Sequence, residues 1–261
     1  MGAAFYQGAL VLPPSLLTLV WRDVTVRYKQ AIIGMLWAVI QPVCMMMVLT
    51  VFFGKLVKVE SGGVPYAVFS YTALLSWNLF SKGFSSAACS LVTNETIITK
   101  VYFPRILVPT SALGTGLVDY LISFTAFIPL LLWYQIGIRP QIIYMPLFIA
   151  LNILSALGFA YFLSIMDSMY RDVRLALPFL TQVFFFLTPV VYPSSEVHGD
   201  YTWLYWLNPM AGVVEGMRWC LLDYPKPATS MLVLSSVTGL LLFVLGVVFF
   251  QKFERKIVDR I

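Results

Sequence analysis

The sequence predicts an all-α, polytopic membrane protein, and three observations carry that prediction. Sixty per cent of the 261 residues are hydrophobic, 11% are charged and the mean hydropathy is +0.85. The apolar residues fall into six runs, each able to cross a hydrocarbon core about 30 Å thick, which takes about 20 helical residues. The basic residues gather in the segments between the runs. A soluble domain is roughly 45–50% apolar and about 25% charged, so this excess belongs in lipid rather than in a globular core. The length fits one membrane domain, 1–261.

The N-terminal residues lack a basic start and contain Pro13-Pro14, so no cleavable signal peptide is expected. Residues 15–29 read as an amphipathic helix. Leu17, Val20, Trp21, Val24 and Tyr28 share one face, and Thr18, Arg22, Thr25 and Lys29 share the other. Ser15 is a candidate N-cap. The segment is too polar to span, so it is expected to lie in the interface with its basic residues toward headgroups. The other reading is the start of the first span.

The six spans are expected at 32–56, 66–91, 106–135, 142–166, 175–192 and 231–250. Pro42, Pro129 and Pro146 lie inside runs and are expected to kink them. With the N-terminus cytoplasmic, the inside segments hold 11 of the 17 basic residues and the outside segments hold 5, with Lys82 inside a run. That bias places both termini in the cytoplasm.

Residues 193–230 are too long for a turn and are broken by Asn208-Pro209. Short helices re-entering the outer leaflet are expected there, protected by surrounding protein. Glu215 and Arg218 stand three apart and can pair. Lys82 and Asp119 are ionisable groups within spans, where such groups face protein or water. They can pair between spans two and three in a structural role. Gly114 and Gly116, beside Ser111 and Ala112, favour close helix packing.

Other classes of chemistry find little support. Cys44, Cys89 and Cys220 form no CxxC pair, and the single histidine, His198, builds no metal cluster. The net charge of +5 suits a membrane surface rather than nucleic acid, because its basic residues lie between apolar runs. No GxxxxGK[ST] sequence is present, so ATP must act through another polypeptide if it drives this chain.

Four ordered blocks then carry a resemblance over nearly the whole chain. The first is Arg27-Tyr28-Lys29 with Ile33-Gly34-Met35-Leu36-Trp37 and Gln41-Pro42. The second is Ser90-Leu91-Val92-Thr93-Asn94 leading into Lys100-Val101-Tyr102-Phe103-Pro104-Arg105. The third joins Arg171-Asp172-Val173-Arg174 and Leu177-Pro178 to Thr188-Pro189-Val190-Val191-Tyr192-Pro193. The fourth is Asn208-Pro209 with Glu215-Gly216-Met217-Arg218. Together they resemble the polysaccharide-export permeases of the type-2 ABC transporter family. O-antigen exporters are the nearest type, and capsule and teichoic-acid exporters are similar.

The resemblance implies a permease without catalytic residues or a cofactor of its own, in the bacterial cytoplasmic (inner) membrane. A second copy of the chain would complete a channel. Two separate ATPase subunits would hold ATP and Mg, and a polyprenyl-diphosphate-linked glycan would be the cargo. It makes 92–105 a coupling segment, with Asn94, Glu95, Lys100, Tyr102, Phe103 and Arg105 facing the ATPase. It sets spans one and five along the channel, with Trp37, Phe52, Phe179, Phe185 and Tyr192 as lining candidates. Residues 193–230 become a periplasmic gate, with Trp203, Trp206, Glu215 and Arg218 as candidates. Arg27 and Lys29 are candidates for the lipid headgroup.

From the residues alone, Tyr102-Phe103 reads equally as a plug for a partner's groove or as an interfacial anchor. The aromatics of spans one and five are equally compatible with packing or lipid contact. Phe184-Phe185-Phe186 cannot all face a channel, since successive helical residues point about 100° apart. Asp167, Arg171, Asp172 and Arg174 read as a solvated helix end, as do the charges of 254–260. Rival functions are a drug or small-lipid exporter of the same superfamily and a membrane enzyme acting on polyprenol-linked sugars. The enzyme would need clustered acids or an accessible histidine base, and no DxD is present. An ion-coupled transporter would need more intramembrane acids and inverted repeats.

Overall fold

A helix satisfies its own backbone hydrogen bonds, which is what an apolar solvent demands. The structure, a computed structural model, describes residues 2–29, 34–100, 103–137, 139–170, 172–197, 199 and 202–257, and among these it is all-helical. The first helix, α1, is Gly2–Lys29. A short 3₁₀ turn, Gly34–Leu36, leads into α2, Trp37–Leu49, which continues with wider π-type winding through Thr50–Val57. Then come α3 (Tyr66–Ala88), α4 (Ser90–Thr93), α5 (Glu95–Lys100) and α6 (Leu107–Trp133). A 3₁₀ turn, Pro140–Tyr144, opens α7 (Met145–Met169), followed by α8 (Asp172–Leu187). Two short helices, α9 (Thr202–Trp206) and α10 (Pro209–Leu221), precede α11 (Thr229–Ile257).

Among the described residues, four helical stretches are long and apolar enough to cross a membrane: Gly34–Val57, Leu107–Trp133, Pro140–Met169 and Thr229–Glu254. The second and fifth expected runs differ for separate reasons. α3 has the length but carries Ser70, Thr72, Ser76, Asn78, Ser81, Lys82, Ser85 and Ser86. α8 is 16 residues, about 24 Å at 1.5 Å per residue.

The polarity of α3 is explained by where it sits. It packs against α2, α6, α7 and α10, and nearly all of its first half is buried. Its hydroxyls turn back onto its own carbonyls, as Thr72 Oγ1 does to Val68 O at 2.9 Å. Neighbouring helices then bond to its backbone and to one another. Asn152 Nδ2 of α7 donates to Ser76 O at 2.8 Å, and the Tyr71 hydroxyl donates to Ser123 O of α6 at 2.9 Å. Ser123 Oγ in turn donates to Ala38 O of α2 at 2.6 Å.

Close approach elsewhere requires glycine. A Cβ on Gly158 of α7 would stand 2.7 Å from the Leu242 carbonyl carbon of α11, and one on Gly246 would stand 2.5 Å from Gly158 O. Gly116 of α6 meets the Gly83 backbone of α3 at 3.3 Å, and Gly114 meets Val20 of α1. The small residues noted in the sequence therefore form helix seams.

Two local expectations are corrected. α1 begins at Gly2, so Ser15 lies within the helix and does not cap it. Pro42 and Pro129 lie inside α2 and α6, but Pro146 stands in the first turn of α7, where a missing N–H breaks no bond.

The bundle has two unlike ends. One, here the basal end, gathers α1, α4, α5 and the C-terminal turns of α7 and α11. Arg105 Nη1 donates to Glu254 O there at 2.6 Å, and Arg174 pairs with Asp167 at 3.0 Å. The opposite, distal end holds α9, α10 and the turn at 188–197. Asn208 caps α10 by accepting from Met210 N at 3.0 Å and ties it to α8 by donating to Leu187 O at 3.1 Å.

Glu215 and Arg218 do pair, at 3.0 Å, and both are completely enclosed. Arg218 also donates to Val190 O at 3.0 Å and lies 3.5 Å over the Phe69 ring. Glu215 Oε1 accepts from Ser194 N at 3.0 Å. These bonds hold the 188–197 turn against α10 and α3. Burial, with the Glu215 charge adding to it, pushes the nearby Tyr224 phenol up to about 12.

Two outcomes follow from this packing. Gly158→Leu is expected to cost about 3 kcal/mol through overpacking, read as a fall of about 5–10 °C in melting temperature in detergent. Gly137→Ala, which has nothing within 4 Å, serves as the neutral control. Glu215→Ala strands a buried guanidinium and is expected to cost about 3–5 kcal/mol, whereas adding Arg218→Met to it recovers much of the loss. Equal instability of the single and double variants would refute that account of the pair.

Candidate functional site

Because α8 only leans on α7 and α3, it leaves a gap between itself and α2. That gap is a cleft of about 730 Å³. Its back wall is α3, which presents Asn78, Ser81, Lys82, Ser85 and Ser86 at positions i, i+3, i+4, i+7 and i+8. Gln41 and Met45 of α2 line one side, and Thr181, Gln182, Phe185 and Phe186 of α8 line the other. Arg27 of α1 and Asp119 of α6 close its basal floor. A polar cleft among apolar helices is costly in lipid, so its groups face one another, water or a passing solute.

The charged floor is built from four elements. Arg27 Nη1 pairs with Asp119 Oδ2 at 3.1 Å, and its Nη2 donates to Ser86 Oγ at 3.3 Å. The Tyr28 hydroxyl donates to Asp119 Oδ1. Burial, reinforced by the Asp119 carboxylate, pushes the Tyr28 phenol up to about 12, so it remains a donor at neutral pH. Lys82 does not pair with Asp119; its Nζ donates to the Gln41 amide Oε1 at 2.8 Å. Arg27, read from the sequence as a headgroup contact, has taken that carboxylate from α1 because α1 lies directly along α6.

A second cavity of about 510 Å³ lies basal to the first, between α1 and the α3–α4–α6 wall. Arg27 and Ser86 line both cavities, so the two adjoin at that hydrogen-bonded pair. Its rim includes Arg22, Thr93 and Asn94. Arg22 Nη2 donates to Asn94 Oδ1 at 2.8 Å, and Asn94 Nδ2 donates to Ser90 O at 2.9 Å. Asn94 stands at the break between α4 and α5. Its carbonyl accepts from Ile97 N at 3.0 Å, but its side chain holds α1 rather than capping α5.

The other expected site residues scatter. Glu95 is exposed on α5, whereas Phe103 packs against the core and Arg105 is committed to the end of α11. Those two contacts are made within the chain. Tyr102 lies outside the described residues, as does the side chain of Lys100. Lys29 is exposed at the end of α1.

Among the aromatic candidates, Phe185 lines the cleft and meets Trp77 edge-on at 5.6 Å. Trp37, Phe52 and Phe179 are more than half exposed on the outer faces of α2 and α8, beside the cleft rather than in it. Tyr192 turns its hydroxyl to Phe186 O at 2.9 Å. The three consecutive phenylalanines do not share one direction: Phe184 goes to Phe159 of α7, Phe185 to Trp77 in the cleft, and Phe186 to the exposed rim of the cleft. At the distal end Trp203 is exposed and Trp206 lines a cavity of about 300 Å³ that includes Glu215 and Lys226.

The α3 wall is the part sequence reasoning missed. Its signal was available: five polar residues at helical spacing within one apolar run.

Comparison with known proteins bears on what such a cleft serves. The chain is 25% identical over 252 residues to the O-antigen export system permease protein RfbA of Myxococcus xanthus, covering 95% of this chain and 94% of that protein. It is 24% identical over 242 residues to the protein of the same description from Klebsiella pneumoniae, covering 91% of each. The polysialic acid transport protein KpsM of Escherichia coli is 22% identical over 232 residues, covering 85% of this chain and 87% of that one. The family model described as ABC-2 type transporter matches residues 14–222, which takes in the basal helix, the cleft and the buried distal pair, and the chain belongs to that family.

Proposed function

We propose that this chain is the channel-forming permease subunit of an ATP-driven exporter for a lipid-linked polysaccharide of O-antigen type. The observation that carries the proposal is the cleft. It is a polar trough, walled by α3, with its open side between α2 and α8. A glycan carries hydroxyls along its length and apolar C–H faces on its rings. Hydroxyl and amide side chains beside Trp77 and Phe185 suit it without binding any one unit tightly, and a conduit needs sites a solute can leave. The names of the relatives support the same cargo class.

The trough is half a channel in this reading, and a second copy of the chain supplies the other half. The exposed apolar faces of α2 and α8, with Trp37, Phe52 and Phe179, flank the opening and would form the seam. In this reading α2, α3, α6, α7, α8 and α11 cross the bilayer. α3 tolerates its polarity by central burial, and α8 completes its crossing with the 188–192 turn. α10 occupies a re-entrant position, with 193–230 as the outer gate. Both termini and the basal end lie on the cytoplasmic side of the inner membrane, following the bias in basic residues.

Energy would enter at the basal end. Two ATPase subunits holding ATP and Mg would press on α5, whose exposed residues include Glu95, Thr96 and Thr99. The α4–α5 break is tied through Asn94 to Arg22, and α1 is tied through Arg27 to Asp119 on the cleft floor. Displacement of α5 therefore has a short mechanical route to the cleft.

Ser81→Trp, which fills the trough, is expected to reduce glycan export by about tenfold or more while leaving the ATPase subunits bound. Surface glycan and subunit co-purification are the two measurements, and undiminished export would refute the conduit. Glu95→Lys is expected to weaken co-purification of the ATPase by a few fold with the helical content unchanged. Retention at wild-type levels would remove α5 from the proposed contact.

A further inference from the structure

We propose that Lys82 is the anion-binding residue of the cleft and that it receives the phosphate of a polyprenyl phosphate or diphosphate glycolipid. This rests on the reading of the chain as a glycolipid exporter and names the group that reads the cargo's charged end. Two cations line the cleft, and they differ in what they hold. Arg27 is occupied by the Asp119 carboxylate. Lys82 pairs with no carboxylate among the described residues; its partner is the neutral amide oxygen of Gln41.

An ammonium held half-buried in a span by one neutral acceptor is costly where solvent is restricted. A bound anion offsets that cost, and the Gln41 amide is a partner that an anion can displace. The surroundings favour phosphate over a carboxylate. Ser81, Ser85 and Asn78 on α3 and Gln182 on α8 add neutral donors from two sides of the same cleft. A diphosphate linker spreads its charge over non-bridging oxygens on two phosphorus atoms and uses donors spread in this way, and lysine serves it as a point charge. Acid groups are sparse in the lining, where Asp119 is already neutralised by Arg27.

The location fits a route. The basal cavity meets the cleft at Arg27 and Ser86, one helical turn from Lys82. A lipid phosphate arriving from the basal side passes Arg27, which Asp119 keeps from binding it tightly, and reaches the ammonium beyond. The sugar chain then lies distal to it along the trough.

The test uses the full chain with its ATPase subunits in phosphatidylcholine nanodiscs, with farnesyl diphosphate and farnesol as probes. Wild type is expected to bind the diphosphate about tenfold or more tightly than farnesol. Pyrophosphate should compete, and glucuronate should not. Lys82→Gln should abolish the preference and Lys82→Arg should retain it. Gln41→Glu, which gives Lys82 a carboxylate partner without removing it, should also abolish it. A preference that survives both Lys82→Gln and Gln41→Glu, or competition by glucuronate alone, would overturn the assignment. If the ATPase subunits do not co-purify, the binding arm run on the chain alone still reads the anion site, and only the exporter reading fails. If export proceeds normally in Lys82→Gln with unchanged diphosphate binding, only the anion site fails.

Discussion

Burial of α3 is the constraint on which the rest of this structure depends. A helix carrying so many hydroxyl, amide and ammonium groups is unstable against lipid. It becomes tolerable only when other helices wrap it, and α2, α6, α7 and α10 do so. The wrapping is incomplete along one stripe, and that stripe becomes the cleft. Site and core are thus two faces of one helix. The glycine seams at Gly83–Gly116 and Gly158–Gly246 serve the same end, because they let α6 and α11 approach closely enough to close the bundle behind it.

The two ends of the bundle hold their charges differently. At the distal end Arg218 and Glu215 are fully enclosed, and their remaining valences go to the backbone at Val190, Ser194 and Phe69. Such a pair contributes more to uniqueness of position than to net stability, since desolvation opposes the ionic attraction. It fixes the turn after α8 to α10. At the basal end the pairs Arg27–Asp119 and Arg22–Asp23 are partly exposed, and Arg27–Asp119 connects α1 to the floor of the cleft. Ion pairs open to solvent can part and reform at little energetic cost.

α1 has a part larger than an anchor. Val20 fits against Gly114, Val24 is buried, and Arg27 reaches a carboxylate on α6. Leu17 and Trp21, assigned by periodicity to the same apolar face, are exposed instead. The face is split because α6 touches only one side of the helix and leaves the other exposed.

Helical class, membrane residence and the family of the chain were legible in the sequence alone, because run length, composition and ordered local motifs are properties of contiguous residues. So was the Glu215–Arg218 pair, since i and i+3 on a helix are neighbours whatever the fold does. Asp119 was legible only as an ionisable group in a span. Its partner came from α1, 92 residues away, rather than from Lys82. Phe103 and Arg105 looked like contacts for another subunit, and both are used within the chain. Tertiary structure alone decided these pairings, and with them which lysine stands without a carboxylate and which polar stripe faces a cleft. The physical reason is that a buried charge takes whichever partner packing brings within about 3 Å, and that distance depends on how helices are arranged rather than on how residues are spaced.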